Sequence, residues 1–170
     1  MQNLKNCNSD ENTELSLMPH SQVKCIVLKT NSDELLLPNA SVAEIVPIKN
    51  IINVANKPNW MLGYLDWRGN SVPLVSFEAM GGARMPSLAS GNIKAAMLFS
   101  IGGDKEFPYM SILVQGSPAI VNVTEQDIVE NQEEITHPAI ENKIMLSKGN
   151  YSIMSLEKLE KIIKSIMTTR

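Results

Sequence analysis

Residues 41–82 read SVAEIVPIKNIINVANKPNWMLGYLDWRGNSVPLVSFEAMGG, and this stretch decides the fold. Within it, residues 60–67 have the aromatic and aliphatic texture of a strand, and residues 71–77 make a partner for it. Arg68-Gly69-Asn70 between them has turn composition, so the pair is expected to fold back as a hairpin. Pro73 removes a ladder donor from the returning strand, which places it at an edge or a bulge. Upstream, Pro38-Asn39-Ala40-Ser41 offers a turn or a helix start with Asn39 or Ser41 as cap. Residues 42–56 are of mixed apolar character, broken by Pro47, and Pro58 sets a further bend.

The flanks continue the strand-and-turn pattern. Val23, Cys25, Val27 and Lys29 alternate with Lys24, Ile26, Leu28 and Thr30, a β-rich run largely apolar on both faces. Asn31-Ser32-Asp33 is a turn cluster, and residues 34–37 return as the second strand of another hairpin. Residues 79–92, with three Gly, a Pro and small side chains, read as a loop. Residues 93–101 and 107–114 read as antiparallel mates around Gly102-Gly103-Asp104-Lys105. After a break at Gly116-Ser117-Pro118, residues 119–123 form another strand. Residues 124–134 are acidic and loosely helical, ended by His137-Pro138. Residues 143–147 and 151–154 are short strands about Lys148-Gly149-Asn150.

The chain closes on an amphipathic helix. Leu156, Leu159, Ile162, Ile163, Ile166 and Met167 share one face, Lys158, Lys161 and Lys164 lie off it, and Ser155 is the N-cap. Many short strands plus one terminal helix describe a mainly β domain, built as a barrel or a pair of barrels. Residues 1–20, polar and Asn-rich, read as a disordered N-terminal tail, leaving 21–170 as one domain.

The composition removes whole classes of function. The 170 residues carry 15 Lys plus Arg against 18 Asp plus Glu, a net charge of −3, so there is no basic footprint for nucleic acid. No apolar run approaches the roughly 20 residues that span a bilayer, so no membrane insertion is expected. The first residues lack a secretory signal's apolar stretch, which favours a cytoplasmic location. Cys7 and Cys25 are too few for a disulfide framework. The core must be aliphatic, since 16 Leu, 17 Ile and 11 Val stand against 8 aromatic residues.

Catalytic residue types are scarce. His20 and His137 have no metal-ligand spacing, and each reads as a solvated loop histidine. Cys25 lies in an apolar strand, where a free thiol behaves as a small buried hydrophobe. Glu125, Asp127, Glu130, Glu133 and Glu134 lack the alternation and central Gly of a calcium loop, so they read as a solvated acidic face. Gly81-Gly82 and Gly102-Gly103 have no phosphate-loop spacing and are turns. Neither a cofactor nor a metal is implied, and no nucleophile–base pair offers itself, which favours a binding protein over an enzyme. Glu44, flanked by Val42-Ala43 and Ile45-Val46, needs solvent or a partner. Arg68 alone is a turn arginine; with Glu44 it suggests an ion pair.

The quoted stretch resembles the CheW-like coupling domains of bacterial chemotaxis. The resemblance rests on Val42, Glu44, Ile45, Pro58, Gly63, Arg68, Gly69, Val72 and Pro73 at fixed spacings, and it extends more weakly over residues 22–166. Leu35 to Ala40 (LLLPNA) looks most like the variants of type IV pilus, twitching-motility clusters. Three positions depart from the family pattern. Gln115-Gly116 stands where an acidic residue often precedes Gly, Ser76-Phe77 occupies a second acidic position, and Trp67 replaces a small or aliphatic residue.

The resemblance implies a CheW-like fold of two SH3-like five-stranded β-barrels sharing a hydrophobic core, with a C-terminal helix. It implies an adaptor between the cytoplasmic tip of methyl-accepting chemoreceptors and the regulatory domain of a CheA-like histidine kinase. Val42 and Glu44 would then lie on a partner-facing or regulatory surface, with Arg68 paired to Glu44 and Gly69 completing the turn. Gly63 would admit a second backbone closely, or serve only as a strand bulge. The rival reading is a small β-barrel module for another ligand or single-stranded nucleic acid, against which stand the few aromatics and the missing basic stripe.

Overall fold

The computed structural model describes residues 21–89 and 91–167; the tail expected over residues 1–20 lies outside them. β1 (Val23–Lys29) and β2 (Glu34–Pro38) form the first hairpin, with the Thr30 N–H donating to the Asp33 carbonyl at 2.9 Å. A single 3-10 turn, Asn39–Ser41, leads into β3 (Val42–Pro47) without a capping side chain. β4 (Met61–Trp67) and β5 (Asn70–Val75) are the expected second hairpin. α1 (Phe77–Met80) follows, capped by Ser76, whose Oγ accepts from the Ala79 N–H at 3.2 Å. Then come β6 (Ile93–Phe99), β7 (Tyr109–Val123), β8 (Val129–Glu130), β9 (Ile140–Leu146), β10 (Gly149–Met154) and α2 (Leu156–Met167).

The strands close two barrels that share β7. In one, the second barrel, β3 pairs with β6, β6 with β7, β7 with β5 and β5 with β4. The ring returns to the chain following β3 through a bridge between Ile52 and Tyr64. In the other, the C-terminal half of β7 pairs with β1, then β2, β10, β9 and the short β8 follow in order. Pro73 sits where β5 has β4 beside it but precedes Leu74 and Val75, the residues that pair with β7. The missing N–H is tolerated there, and the Ser111 hydroxyl donates to the Pro73 carbonyl at 2.8 Å.

Three apolar clusters explain why so many strands are hydrophobic on both faces. Cys25, Val27, Leu36 and Ile144 fill the interior of the first barrel. Leu62, Leu65, Val72, Leu74 and Met97 fill the second. Between the barrels, Ile26, Leu28, Leu35, Leu37, Val75, Leu98 and Ile112 form one continuous core. Leu159 and Ile163 of α2, both fully buried, are inserted into that shared core. A strand with a barrel interior on one side and the shared core on the other has no face left for water.

Two expectations for the second half of the chain are corrected. Gly116-Ser117-Pro118 does not end a strand: β7 runs unbroken for 15 residues from Tyr109 to Val123. Gly116 takes φ +63°, and the register against β1 jumps from Val27–Ala119 to Lys29–Gln115. The extra residues are absorbed as a bulge that bends β7 out of one barrel and into the other. Residues 124–134 are not helical beyond a single 3-10 turn at Glu125–Asp127. The Asp127 carboxylate closes that turn by accepting from the Thr124 N–H at 2.9 Å and Oγ1 at 2.6 Å. Val129–Glu130 then pair with β9, and the Asn131 N–H donates to the Lys143 carbonyl at 2.9 Å, so the sheet edge takes the donors a helix would need.

Candidate functional site

The β4–β5 hairpin ends in the tightest possible connection. Trp67 pairs with Asn70, leaving only Arg68 and Gly69 between the strands, at φ +51° and +77°. Two consecutive positive φ values define the turn whose twist matches that of the strands. Gly69 adopts it freely, whereas Arg68, with a Cβ, does so at a cost of about 1 kcal/mol. Nothing in the turn calls for arginine, so its side chain has to be explained by what it touches.

It touches Glu44. The Arg68 Nη2 donates to Glu44 Oε2 at 2.9 Å, and the Trp67 indole N–H donates to the same oxygen at 3.1 Å. The suggested ion pair is thus formed. A register shift between Val42 and Glu44 in the β3–β6 pairing marks a bulge that re-aims the strand at this point. The guanidinium also lies 4.8 Å from the centre of the Trp67 ring. Trp67 is buried and meets Tyr109 edge-on at 4.9 Å, and Tyr109 meets Phe99 at 5.7 Å. The charged side chains remain in water, Arg68 at 69% and Glu44 at 41% exposure. An exposed pair of this kind contributes about 0–1 kcal/mol to stability.

Of the remaining expected site residues, one lies at this tip and two lie away from it. Gly69 belongs to it, with open space around its Cα. Val42 is half-buried and packs against the shared core. Gly63 is buried in β4 at φ +146°, where a Cβ would overlap the Ile52 carbonyl oxygen. The close backbone approach at Gly63 is thus that of Ile52, and the β4–β5 register also shifts between Met61 and Gly63. Reading by residue type and spacing misses Trp67, Tyr109 and Phe99 as site residues. The one signal for them was Trp67 standing where the family pattern has a smaller side chain.

His137 corrects the expectation of a solvated loop residue. Its ring stacks on Phe77 at 3.8 Å with 11° between planes. The Ala139 N–H donates to Nδ1 at 3.0 Å, so Nε2 carries the proton that faces the Phe77 carbonyl at 2.7 Å. Burial lowers its pKa, against the opposing pull of that carbonyl and of Asp33. His20 and Cys7 lie outside the described residues. Cys25 is buried in β1, and burial pushes its thiol pKa up.

Chemistry elsewhere is thin. Glu125, Asp127, Glu130, Glu133 and Glu134 are all exposed. Among the described residues no three or more His, Cys, Asp or Glu come together as a metal site would require. The same residues contain no helix long and apolar enough to cross a membrane. Among the described residues, a hollow of about 1130 Å³ between residues 53–58 and the end of α2 has none of Glu44, Trp67 and Arg68 in its lining. Its one charged lining residue, Lys57, donates to the Leu62 carbonyl.

Comparison with known proteins agrees with this geometry. The family model described as the CheW-like domain matches residues 24–165. Among curated proteins none matches. Among solved structures, the scaffolding protein TtCheW from Thermoanaerobacter tengcongensis superposes with a TM-score of 0.67 at 15% identity, covering 79% of this chain and 90% of that one. At such identity the likeness is one of fold.

Proposed function

This chain belongs to the CheW-like domain family, whose members are non-enzymatic chemotaxis adaptors, and from that premise we propose that it couples chemoreceptors to a CheA-like histidine kinase. In this reading the cytoplasmic tip of a methyl-accepting receptor and the regulatory domain of the kinase dock on separate faces of residues 21–170, in the cytoplasm. The observation that carries it is the Glu44–Arg68 pair, solvent-exposed at a barrel tip beside buried Trp67. A pair worth so little to folding is well suited to recognition, where charge placement sets partner choice and register. Gly69 and Gly63 support that tip through its turn and its strand, and Val42 anchors the start of β3.

The test is calorimetry of the full chain against the regulatory domain of its cognate kinase. Glu44→Ala and Arg68→Ala should each weaken binding about tenfold while lowering stability by no more than about 1 kcal/mol. Undiminished binding in both variants would sink the reading. The LLLPNA run, which looks like that of pilus-associated variants, points to type IV pilus motility as the output. A deletion strain should then lose twitching and keep swimming; the reverse result assigns the chain to a flagellar system.

A further inference from the structure

Exposed Glu–Arg pairs are ordinarily loose, because holding two long side chains in one geometry costs rotamer entropy that water-screened attraction barely offsets. A partner that reads such a pair has to order it first, at a cost in rotamer entropy for each side chain. Here three restraints converge on the pair. The Trp67 N–H and the Arg68 Nη2 share one carboxylate oxygen, at 3.1 and 2.9 Å. The guanidinium lies over the indole face at 4.8 Å. The indole itself is locked, being buried and set edge-on against Tyr109 at 4.9 Å.

We infer that Trp67 is the positioning residue of a two-pole docking element, holding Glu44 and Arg68 as a fixed acceptor–donor pair for a partner with the reciprocal arrangement. Among the described residues, Glu44 receives both hydrogen bonds on Oε2, so Oε1 is the acceptor pole. A guanidinium has five N–H donors, and Arg68 uses one of them on Glu44, so the rest form the donor pole. Poles of opposite sign side by side reject a partner of uniform charge, since one of them is always repelled. The matching protein surface sets a carboxylate against Arg68 and a hydrogen-bond donor against Glu44. Beside the poles, Tyr109 and the 42%-exposed Phe99 offer an apolar strip to the same partner. The inference rests on the coupling role proposed above and names the residue that makes its surface rigid.

The test is a double-mutant cycle on the full chain with the cognate kinase regulatory domain as probe. Trp67→Phe keeps a ring at the site and removes the indole N–H. It should weaken binding about tenfold in the wild-type background and less than twofold in the Glu44→Ala background. In the free protein, 15N relaxation of the Arg68 Nε–Hε group should show its order parameter falling below about 0.6 in Trp67→Phe. An equal loss in both backgrounds, or an unchanged order parameter, overturns the inference. A readout that needs no Trp67 variant is exchange of the indole proton, which should accelerate at least tenfold in Glu44→Ala; an unchanged rate overturns the clamp. If Glu44→Ala alone leaves binding intact, the coupling reading of this surface fails instead.

Discussion

The carbonyl oxygen of Ile52 occupies the place where a side chain on Gly63 would begin. One residue further on, Tyr64 and Ile52 exchange backbone hydrogen bonds at 2.8 and 2.9 Å, the bridge that closes the second barrel. Barrel closure therefore depends on a position without a Cβ, and Gly63 at φ +146° also has a backbone conformation that L-residues rarely adopt. Gly63→Ala should destabilise the domain by about 2 kcal/mol or more, as both the overlap and the φ are strained. Urea unfolding measures this through the midpoint concentration, and hydrogen exchange should find the Tyr64 amide deprotected. An unchanged midpoint would show that the 51–52 segment gives way without cost.

Glu160 ties the terminal helix to the β6–β7 turn. Its Oε2 accepts from the N–H groups of Ile101 and Gly102 at 2.8 and 3.1 Å, while Lys164 approaches Oε1 at 2.8 Å. Burial alone would raise the pKa, but Lys164 and the two backbone donors outweigh it and hold Glu160 at about 2. A carboxylate depressed on folding contributes stability that is complete above its unfolded pKa, about 4.5, and is lost as pH falls through the folded value. Wild-type stability should accordingly decline between about pH 4.5 and 2. Glu160→Gln should lower it by about 1–3 kcal/mol at neutral pH and flatten that acid limb. A variant whose urea midpoint keeps the wild-type acid slope would assign the slope to other carboxylates.

Much of this architecture was open to reading because barrel strands and amphipathic helices leave local marks. Leu35, Leu36 and Leu37 show the two-faced burial directly: the outer two join the shared core and the middle one the barrel interior. The period of α2 put Leu159 and Ile163 inward. What stayed hidden depends on long-range placement. Gly116 and Pro118 look like a strand end, and only the bulge against β1 makes them a bend. His137 looks solvated until Phe77, 60 residues away in sequence, stacks on it. Trp67 sits next to Arg68 in the chain, yet its role depends on Glu44, 23 residues upstream.

Arg68 is a compromise between turn and side chain. At φ +51° the turn would accept asparagine more readily, and the exposed ion pair returns little stability. Arg68→Asn should therefore leave stability within about 0.5 kcal/mol of wild type, or raise it, while Arg68→Ala, which keeps the φ cost and loses the pair, falls below both. Thermal unfolding of the three proteins checks the order. Should Arg68→Asn prove the least stable, the pair would have a folding role larger than its exposure allows.

His137 makes the junction between α1 and the first barrel sensitive to acid. The Ala139 N–H points at Nδ1, so a second ring proton would set donor against donor at 3.0 Å. Burial, the largest influence, lowers the pKa, while the Phe77 carbonyl and the Asp33 charge pull it upward. For a base whose pKa is depressed by folding, the unfolded chain binds the extra proton first. Stability is then complete above the unfolded value, about 6.5, and falls as pH drops below it. The urea midpoint should decrease from pH 7.5 to 5.5, before Glu160 begins to titrate, and hydrogen exchange should quicken first at residues 77–83. In His137→Gln, whose amide oxygen can accept from Ala139 while its NH2 faces Phe77, that part of the pH dependence should vanish. A midpoint that stays level across this range in the wild type would show that His137 takes its second proton without leaving Phe77.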